Sequence, residues 1–189
     1  CLEAVVKGKT LTMHYIDRKQ KIDAVEYFHE ALEPILKGTY GILVFQEQAI
    51  LIAQQIAGFD LQEADILRKA IGKKKASVMA EVKKTFLEKS ETNGIVTRAE
   101  AEEIFSWIEK SQRYSFNKSH SVSYAYNSYM TAYAKAHFPH EFFTSYLKHA
   151  VGKPDTFIEV QELVNNAKIM GINTMPPSIM HMNEEFELI

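Results

Sequence analysis

Among 189 residues there is one cysteine, Cys1. An intramolecular disulfide is therefore impossible, and a thiolate zinc site has no set of ligands. No apolar run approaches the roughly 20 residues needed to cross a bilayer, so no membrane segment is expected. The opening residues, Cys1 to Lys7, lack the charged start, apolar core and small-residue cleavage site of a secretory leader, and a cytoplasmic location is the expectation. Several enzyme signatures are missing as well. There is no Gly-x-Ser-x-Gly, no Gly-x-x-x-x-Gly-Lys-Ser/Thr phosphate loop, and no local His or Asn arrangement to activate Cys1. His137 and His140 stand three apart beside Pro139, and His181 stands alone, which is weak metal-site spacing. Adjacent acids such as Glu102-Glu103 and Glu184-Glu185 point different ways on a helix, so no two-metal carboxylate site is read here. Neither end carries a terminal signal, and the chain reads as an excised piece of something longer.

What is present is an ordinary globular composition, 46% hydrophobic and 24% charged, with a net charge of −2. The average field would not draw the molecule to nucleic acid, so the distribution of charge matters more than its sum. Arg68, Lys69, Lys73, Lys74 and Lys75 put five cations into eight residues, where the overall proportion of Lys and Arg predicts about one. Lysines at a helix end can make point-charge contacts to phosphate, and Arg68 offers a planar fork for two phosphate oxygens. The competing reading is a solvated cap in which Lys73, Lys74 and Lys75 complement the negative pole of the helix that Gly72 ends.

Along the chain, residues 1–15 carry β-prone pieces and read as irregular or strand. A weak helix is expected from Asp23 to Leu36, then a turn at Gly38-Thr39-Tyr40-Gly41. Apolar residues at 42, 45, 49, 52, 53 and 56 predict a well-buried helix over 42–56, closed by Gly58. Asp60 with Glu63 reads as a capping box for the next helix, and Thr97 with Glu100 as another. Between them Ser77 is expected to cap a helix to Lys89 that buries Met79, Val82, Phe86 and Leu87, and Asn93-Gly94 to turn the chain. The second box opens a helix with Ala101, Ile104, Phe105 and Ile108 inward. Further helices are expected over Val122–His137, Glu141–Ala150 and Phe157–Met170, with Pro176-Pro177 forbidding helix after them. The fold class is mainly α, a multi-helix domain with short irregular or strand segments at its two ends.

The stretch Tyr114-Ser115-Phe116-Asn117-Lys118-Ser119-His120-Ser121 mixes an amide, a cation, an imidazole and hydroxyls ahead of a helix that Ser119 or Ser121 could cap. Helix N-termini bind anions through free backbone N–H groups. Lys118 and His120 could address phosphate, and Tyr124 or Tyr126 could stack on a base or sugar. The alternative is a capped loop whose rings fill the core.

Four ordered motifs carry a resemblance: Tyr40-Gly41-Ile42-Leu43-Val44-Phe45-Gln46-Glu47-Gln48, then Ala64-Asp65-Ile66-Leu67-Arg68-Lys69-Ala70-Ile71-Gly72-Lys73-Lys74-Lys75, then Phe116-Asn117-Lys118-Ser119-His120-Ser121, then Met175-Pro176-Pro177. Together they resemble the bacterial replicative DNA polymerase III alpha subunit, a C-family polymerase, in its fingers domain. The resemblance runs from about Tyr15-Ile16-Asp17-Arg18-Lys19 to Pro177. It implies an irregular lead-in over 1–15, helical fingers over 16–175, and a truncated start of the following segment over 176–189. It also implies that Arg68, Lys69, Asn117, Lys118, His120 and Tyr124 bind the incoming dNTP, and that Lys73, Lys74 and Lys75 meet primer-template DNA. Catalytic residues are expected to be absent, since Mg²⁺ would be held by aspartates of a palm domain outside this sequence, leaving the chain inactive alone. Implied partners are that palm, the other domains of the same polymerase, and the sliding clamp and replisome through the full enzyme. The sequence departs from the family pattern at Lys69, where Arg-Arg is common, at Ile71, where Met is usual, and in the first dozen residues. A non-catalytic, stand-alone nucleic-acid-binding module derived from such fingers is the rival expectation.

Overall fold

The computed structural model describes residues 5–73, 76–111, 115–150, 152–176, 178–180 and 186–187. Among these, a two-strand antiparallel hairpin, β1 (Val5–Val6) and β2 (Lys9–Thr10), pairs Val5 with Thr10 and Val6 with Lys9. Helices follow: α1 (Leu11–Lys19), α2 (Glu33–Leu36), α3 (Gln46–Ala57), α4 (Leu61–Lys73), α5 (Ala76–Asn93), α6 (Arg98–Ser111), α7 (Lys118–His137), α8 (Pro139–His149) and α9 (Thr156–Ile169). The class is mainly α, as the sequence predicts. The chain divides into two compact units, Cys1–Ser121 and Val122–Ile189.

The core of the first unit is built from helix faces with three- and four-residue spacing. Ala49, Ile52, Ala53 and Ile56 of α3 are buried, as are Leu67, Ala70 and Ile71 of α4, Met79, Val82, Phe86 and Leu87 of α5, and Ala101, Ile104, Phe105 and Ile108 of α6. Each large apolar side chain removed from water contributes about 1.5–3 kcal/mol, which outweighs the weak intrinsic propensity of any one helix. The expected inward stripes of α5 and α6 are the observed ones. Phe86 packs between Phe59 and Phe105, with ring centroids 6.0 and 5.1 Å away. Gly58 closes α3 at φ 67°, a left-handed conformation open to glycine at little cost. Asn93 of α5 then donates to the Ile56 carbonyl at 3.0 Å, tying the end of α5 to the end of α3.

Several sequence expectations are corrected. Residues 11–15, read as irregular or strand, fall instead within α1, because Thr10 accepts the Met13 N–H and Arg18 and Lys19 occupy the last turn. The helix expected over 23–36 is confined to a 3-10 turn at Glu30–Leu32 and to α2. Residues 42–45 are not helical. The Val44 and Phe45 N–H groups both donate to Gln48 Oε1, at 2.9 and 3.0 Å, so α3 opens only at Gln46. Gly72 does not end its helix, since α4 continues to Lys73. Ser77 lies inside α5, which begins at Ala76.

In the second unit Phe143 and Leu147 of α8, with Ala150 just after it, pack with Leu163 and Ala167 of α9 in one buried cluster. Phe157, at the start of α9, is 81% exposed and belongs to no core. The tyrosines of α7 do not fill the core either. Tyr124, Tyr126, Tyr129 and Tyr133 are all exposed, and none of the twenty residues of α7 is buried. Tyr129, Tyr133 and His137 follow one another along one face, with ring centroids 6.3 and 4.2 Å apart.

Candidate functional site

Helix α4 is set by its first turn. Asp60 Oδ1 accepts the Gln62 and Glu63 N–H groups at 2.8 Å each, and Glu63 returns an acceptor to the Asp60 N–H at 2.9 Å. This is the capping box that the sequence predicts. The apolar stripe sets the rotation of the helix, so that Ala64, Leu67, Ala70 and Ile71 are buried while Arg68 and Lys69 face out. Both cations are held by Asp65. Arg68 donates to Asp65 Oδ1 through Nε at 3.0 Å and Nη2 at 2.7 Å, and Lys69 Nζ lies 2.7 Å from Asp65 Oδ2. The Lys69 ammonium, then the Arg68 guanidinium, hold the Asp65 carboxyl below its usual value. One carboxylate therefore neutralises about half of this local charge and aims both cations along one helix face. Lys73 ends α4; its side chain, with Lys74 and Lys75, lies outside the described residues.

Residues 115–118 meet α3 through backbone bonds. The Phe116 N–H donates to the Val44 carbonyl at 3.2 Å, and the Gln46 N–H donates to the Phe116 carbonyl at 3.0 Å, a parallel bridge between segments far apart in sequence. Glu47, in the first turn of α3, completes the junction. Its two carboxylate oxygens both accept the Lys118 N–H, each at 3.0 Å. The cap of α7 is Asn117, whose Oδ1 accepts the His120 N–H at 2.9 Å. Ser119 and Ser121 lie inside the helix, which corrects the expected capping residue. The short amide side chain at Asn117 reaches the third N–H of the helix, which is the geometry of a strong N-cap.

This arrangement decides what the α7 N-terminus can offer. Two of its N–H groups have acceptors, from Glu47 and Asn117, so an anion arriving here would meet side chains first. Lys118 and His120 are exposed at this turn. Gln48 supports the junction from beneath. It is buried, its Nε2 donates to the Thr39 hydroxyl at 2.7 Å and to the Ile35 carbonyl at 3.2 Å, and its Oε1 receives the two N–H groups ahead of α3.

Of the residues singled out by sequence, Asn117, Lys118 and His120 share one turn, and Arg68 and Lys69 share one outward face of α4. Tyr124 lies further along α7, in the second unit. Sequence reasoning assigned no site role to Glu47, Gln48 or Asp65. Asp65 was findable, because an acid three and four residues before two cations is an ion-pair pattern. Glu47 was not, because its partner is 71 positions away. Among the described residues no group of three His, Cys, Asp or Glu side chains could hold a metal ion, and no helix is long and apolar enough to cross a membrane.

Comparison with known proteins supplies the context of these two surfaces. Residues 3–94 match the family described as the bacterial DNA polymerase III alpha subunit finger domain. The chain is 47% identical over 169 residues to the DNA polymerase III subunit alpha of Aquifex aeolicus, covering 87% of this chain and 14% of that protein. It is 42% identical over 178 residues to the subunit from Buchnera aphidicola, covering 92% and 15%, and 40% identical over 187 residues to that of Escherichia coli K12, covering 93% and 16%. The chain thus spans about a seventh of the length of the relatives it matches. Residues 3–94 thus carry the finger-domain match of the bacterial DNA polymerase III alpha subunit family, and the similarity to that family's subunits runs over about nine-tenths of the chain.

Proposed function

We propose that this chain is the fingers of a replicative DNA polymerase, binding the incoming dNTP and primer-template DNA during template-directed synthesis. The observation that carries the reading is the finger-domain match within a similarity to alpha subunits that covers about nine-tenths of the chain. Two exposed cationic surfaces agree with it, Arg68 and Lys69 on α4, and Lys118 with His120 on the first turn of α7. Phosphoryl-group chemistry asks a protein mainly for positioning and charge neutralisation, which such side chains supply without proton transfer. Arg68 and Lys69 would exchange Asp65 for phosphate oxygens. That exchange costs little, because an exposed ion pair in water is held weakly. Lys69 makes a point-charge contact where Arg would make a forked one.

In this reading residues 16–175 form the fingers, Lys73, Lys74 and Lys75 meet DNA phosphates, and Asn117, Lys118, His120 and Tyr124 line the nucleotide pocket. The Mg²⁺ ions that activate the reaction belong to carboxylates of the palm, so this chain alone does not polymerise. The remaining partners are the other domains of the same polymerase and, through it, the clamp and replisome, in the cytoplasm.

The test is made in the complete polymerase polypeptide. Arg68→Ala is expected to raise the KM for dNTP or lower kcat with DNA affinity largely kept, whereas unchanged steady-state nucleotide kinetics would remove Arg68 from the pocket. Replacing Lys73, Lys74 and Lys75 with Ala is expected to flatten the salt dependence of DNA binding by about one unit of slope for each phosphate no longer neutralised.

A further inference from the structure

Building on the nucleotide-site reading, we propose that Glu47 is a positioning residue for that site, setting the first turn of α7 from which Lys118 and His120 act. Three observations converge on it. Both Glu47 oxygens accept the single Lys118 N–H at 3.0 Å, across 71 residues of sequence. The flanking backbone is fixed in the same place by the paired bonds between Val44, Gln46 and Phe116, and Gln46 Nε2 adds a long donor contact to the Ser115 carbonyl at 3.5 Å. Glu47 itself sits in the first turn of α3, whose register is locked by the buried Gln48. The carboxylate therefore joins the starts of two helices, α3 through its own backbone and α7 through the Lys118 N–H. Both helices present their positive poles there, and one negative charge between them is favourable to each.

The consequence for binding is specific. Glu47 stands where a ligand oxygen would otherwise approach the Lys118 N–H, so at that position the nucleotide phosphates are met by the Lys118 ammonium and the His120 imidazole. Removing Glu47 leaves those side chains in place and loosens the turn that aims them.

The test uses the complete polymerase polypeptide with Glu47→Ala, Glu47→Gln and Lys118→Ala. Asn93→Ala, which removes the bond to the Ile56 carbonyl, serves as a packing control away from the turn. Amide hydrogen exchange across residues 115–121, read without nucleotide, is expected to accelerate about tenfold in Glu47→Ala, the size expected when one charge-assisted bond is lost. The KM for dNTP is expected to rise about tenfold with kcat changed by less than about threefold. Glu47→Gln keeps one acceptor oxygen and should fall between wild type and Glu47→Ala. Asn93→Ala should lower Tm without this KM change. Unchanged exchange at 115–121 overturns the inference. So does a fall in KM, which would make Glu47 a competitor of the substrate, or a rise in KM of the same size in Asn93→Ala. If Lys118→Ala raises KM while Glu47→Ala does not, the inference alone fails; if neither moves KM, the nucleotide-site reading fails with it.

Discussion

Lys89 of α5 donates to the Glu63 carboxylate of α4 at 2.6 Å, and that same carboxylate accepts the Asp60 N–H. One side chain therefore starts a helix and fastens it to its neighbour. Lys89 also lies over the Phe59 ring, 5.7 Å from its centroid, so the ammonium is held by a carboxylate and an aromatic face together. Glu63→Ala removes the cap bond and the tie, and the expected loss is about 1–2 kcal/mol, or a fall in Tm of about 2–8 °C at this chain length. Glu63→Gln retains an acceptor for the Asp60 N–H and should cost less. Equal costs in a thermal melt would assign the whole effect to the ion pair and remove the capping contribution.

Phe86 is fully buried with rings on two sides, whereas Phe157 is almost wholly in solvent. Phe86→Ala is expected to cost about 3–5 kcal/mol through lost transfer energy and the cavity left behind. Phe157→Ala should stay within about 0.5 kcal/mol, as surface changes usually do. Urea unfolding measures both. A small loss at Phe86 would mean that the α3, α5 and α6 core collapses into the space.

What was legible in the sequence was what short-range chemistry dictates. Both capping boxes, the Gly58 helix end, the Asn93-Gly94 turn and the inward stripes of α5 and α6 depend on residues within a few positions of one another. Where the expectation failed, the deciding partner was not a hydrophobic stripe. Helix α1 buries none of its residues, so no apolar period announced it; beyond its Thr10 cap it is held by Lys9, which donates to Asp17 at 2.7 Å and to Asp23 at 3.0 Å. Residues 42–45 have helical apolar spacing but are drawn straight by Gln48 and by Phe116. Gly41 also stands in a turn that needs it. It has φ +78°, and a Cβ there would come within 2.8 Å of the Glu26 carbonyl. For the candidate site, the residue types were visible in sequence, while the junction through Glu47 required the fold.

Asp65 limits the charge that α4 shows to an incoming anion. Asp65→Asn should free Arg68 and Lys69, strengthening binding of duplex DNA or of inorganic triphosphate at low salt, with the salt slope steeper by about one unit for each further DNA phosphate neutralised. The same carboxylate supplies a pH effect. Its folded pKa is lowered from the ordinary 3.8 by Lys69 and Arg68, so its contribution to stability is present above that ordinary value and is lost as pH falls through the lowered one. Wild type should therefore converge on the Asp65→Asn variant in acid. Identical anion affinities for the two proteins at neutral pH would show that Asp65 does not restrain the cations.

In the second unit, Lys153 Nζ lies 2.7 Å from Glu159 Oε1 and 3.0 Å from the Tyr146 hydroxyl, which itself donates to Glu159 Oε1 at 2.8 Å. The Lys153 ammonium is also 4.4 Å from the Tyr146 ring centroid. The hydrogen bond from Lys153, then that from Tyr146, lowers the Glu159 pKa from 4.5. Glu159, then Tyr146, raises that of Lys153 from 10.5. The signs define a window. The carboxylate contribution is present above 4.5 and disappears as pH falls through the lowered folded value, and the ammonium contribution is present below 10.5 and disappears as pH rises through the raised one. The tie between α8 and α9 should hold across the whole neutral range and weaken at both extremes. Tyr146→Phe keeps the ring under the ammonium and removes the hydroxyl, so it should lower Tm slightly at neutral pH while the two-sided pH profile survives. Glu159→Gln should remove the Glu159 share of the acid limb. A Tm profile for Glu159→Gln that matches wild type below pH 4.5 would show that this carboxylate contributes nothing to the acid limb.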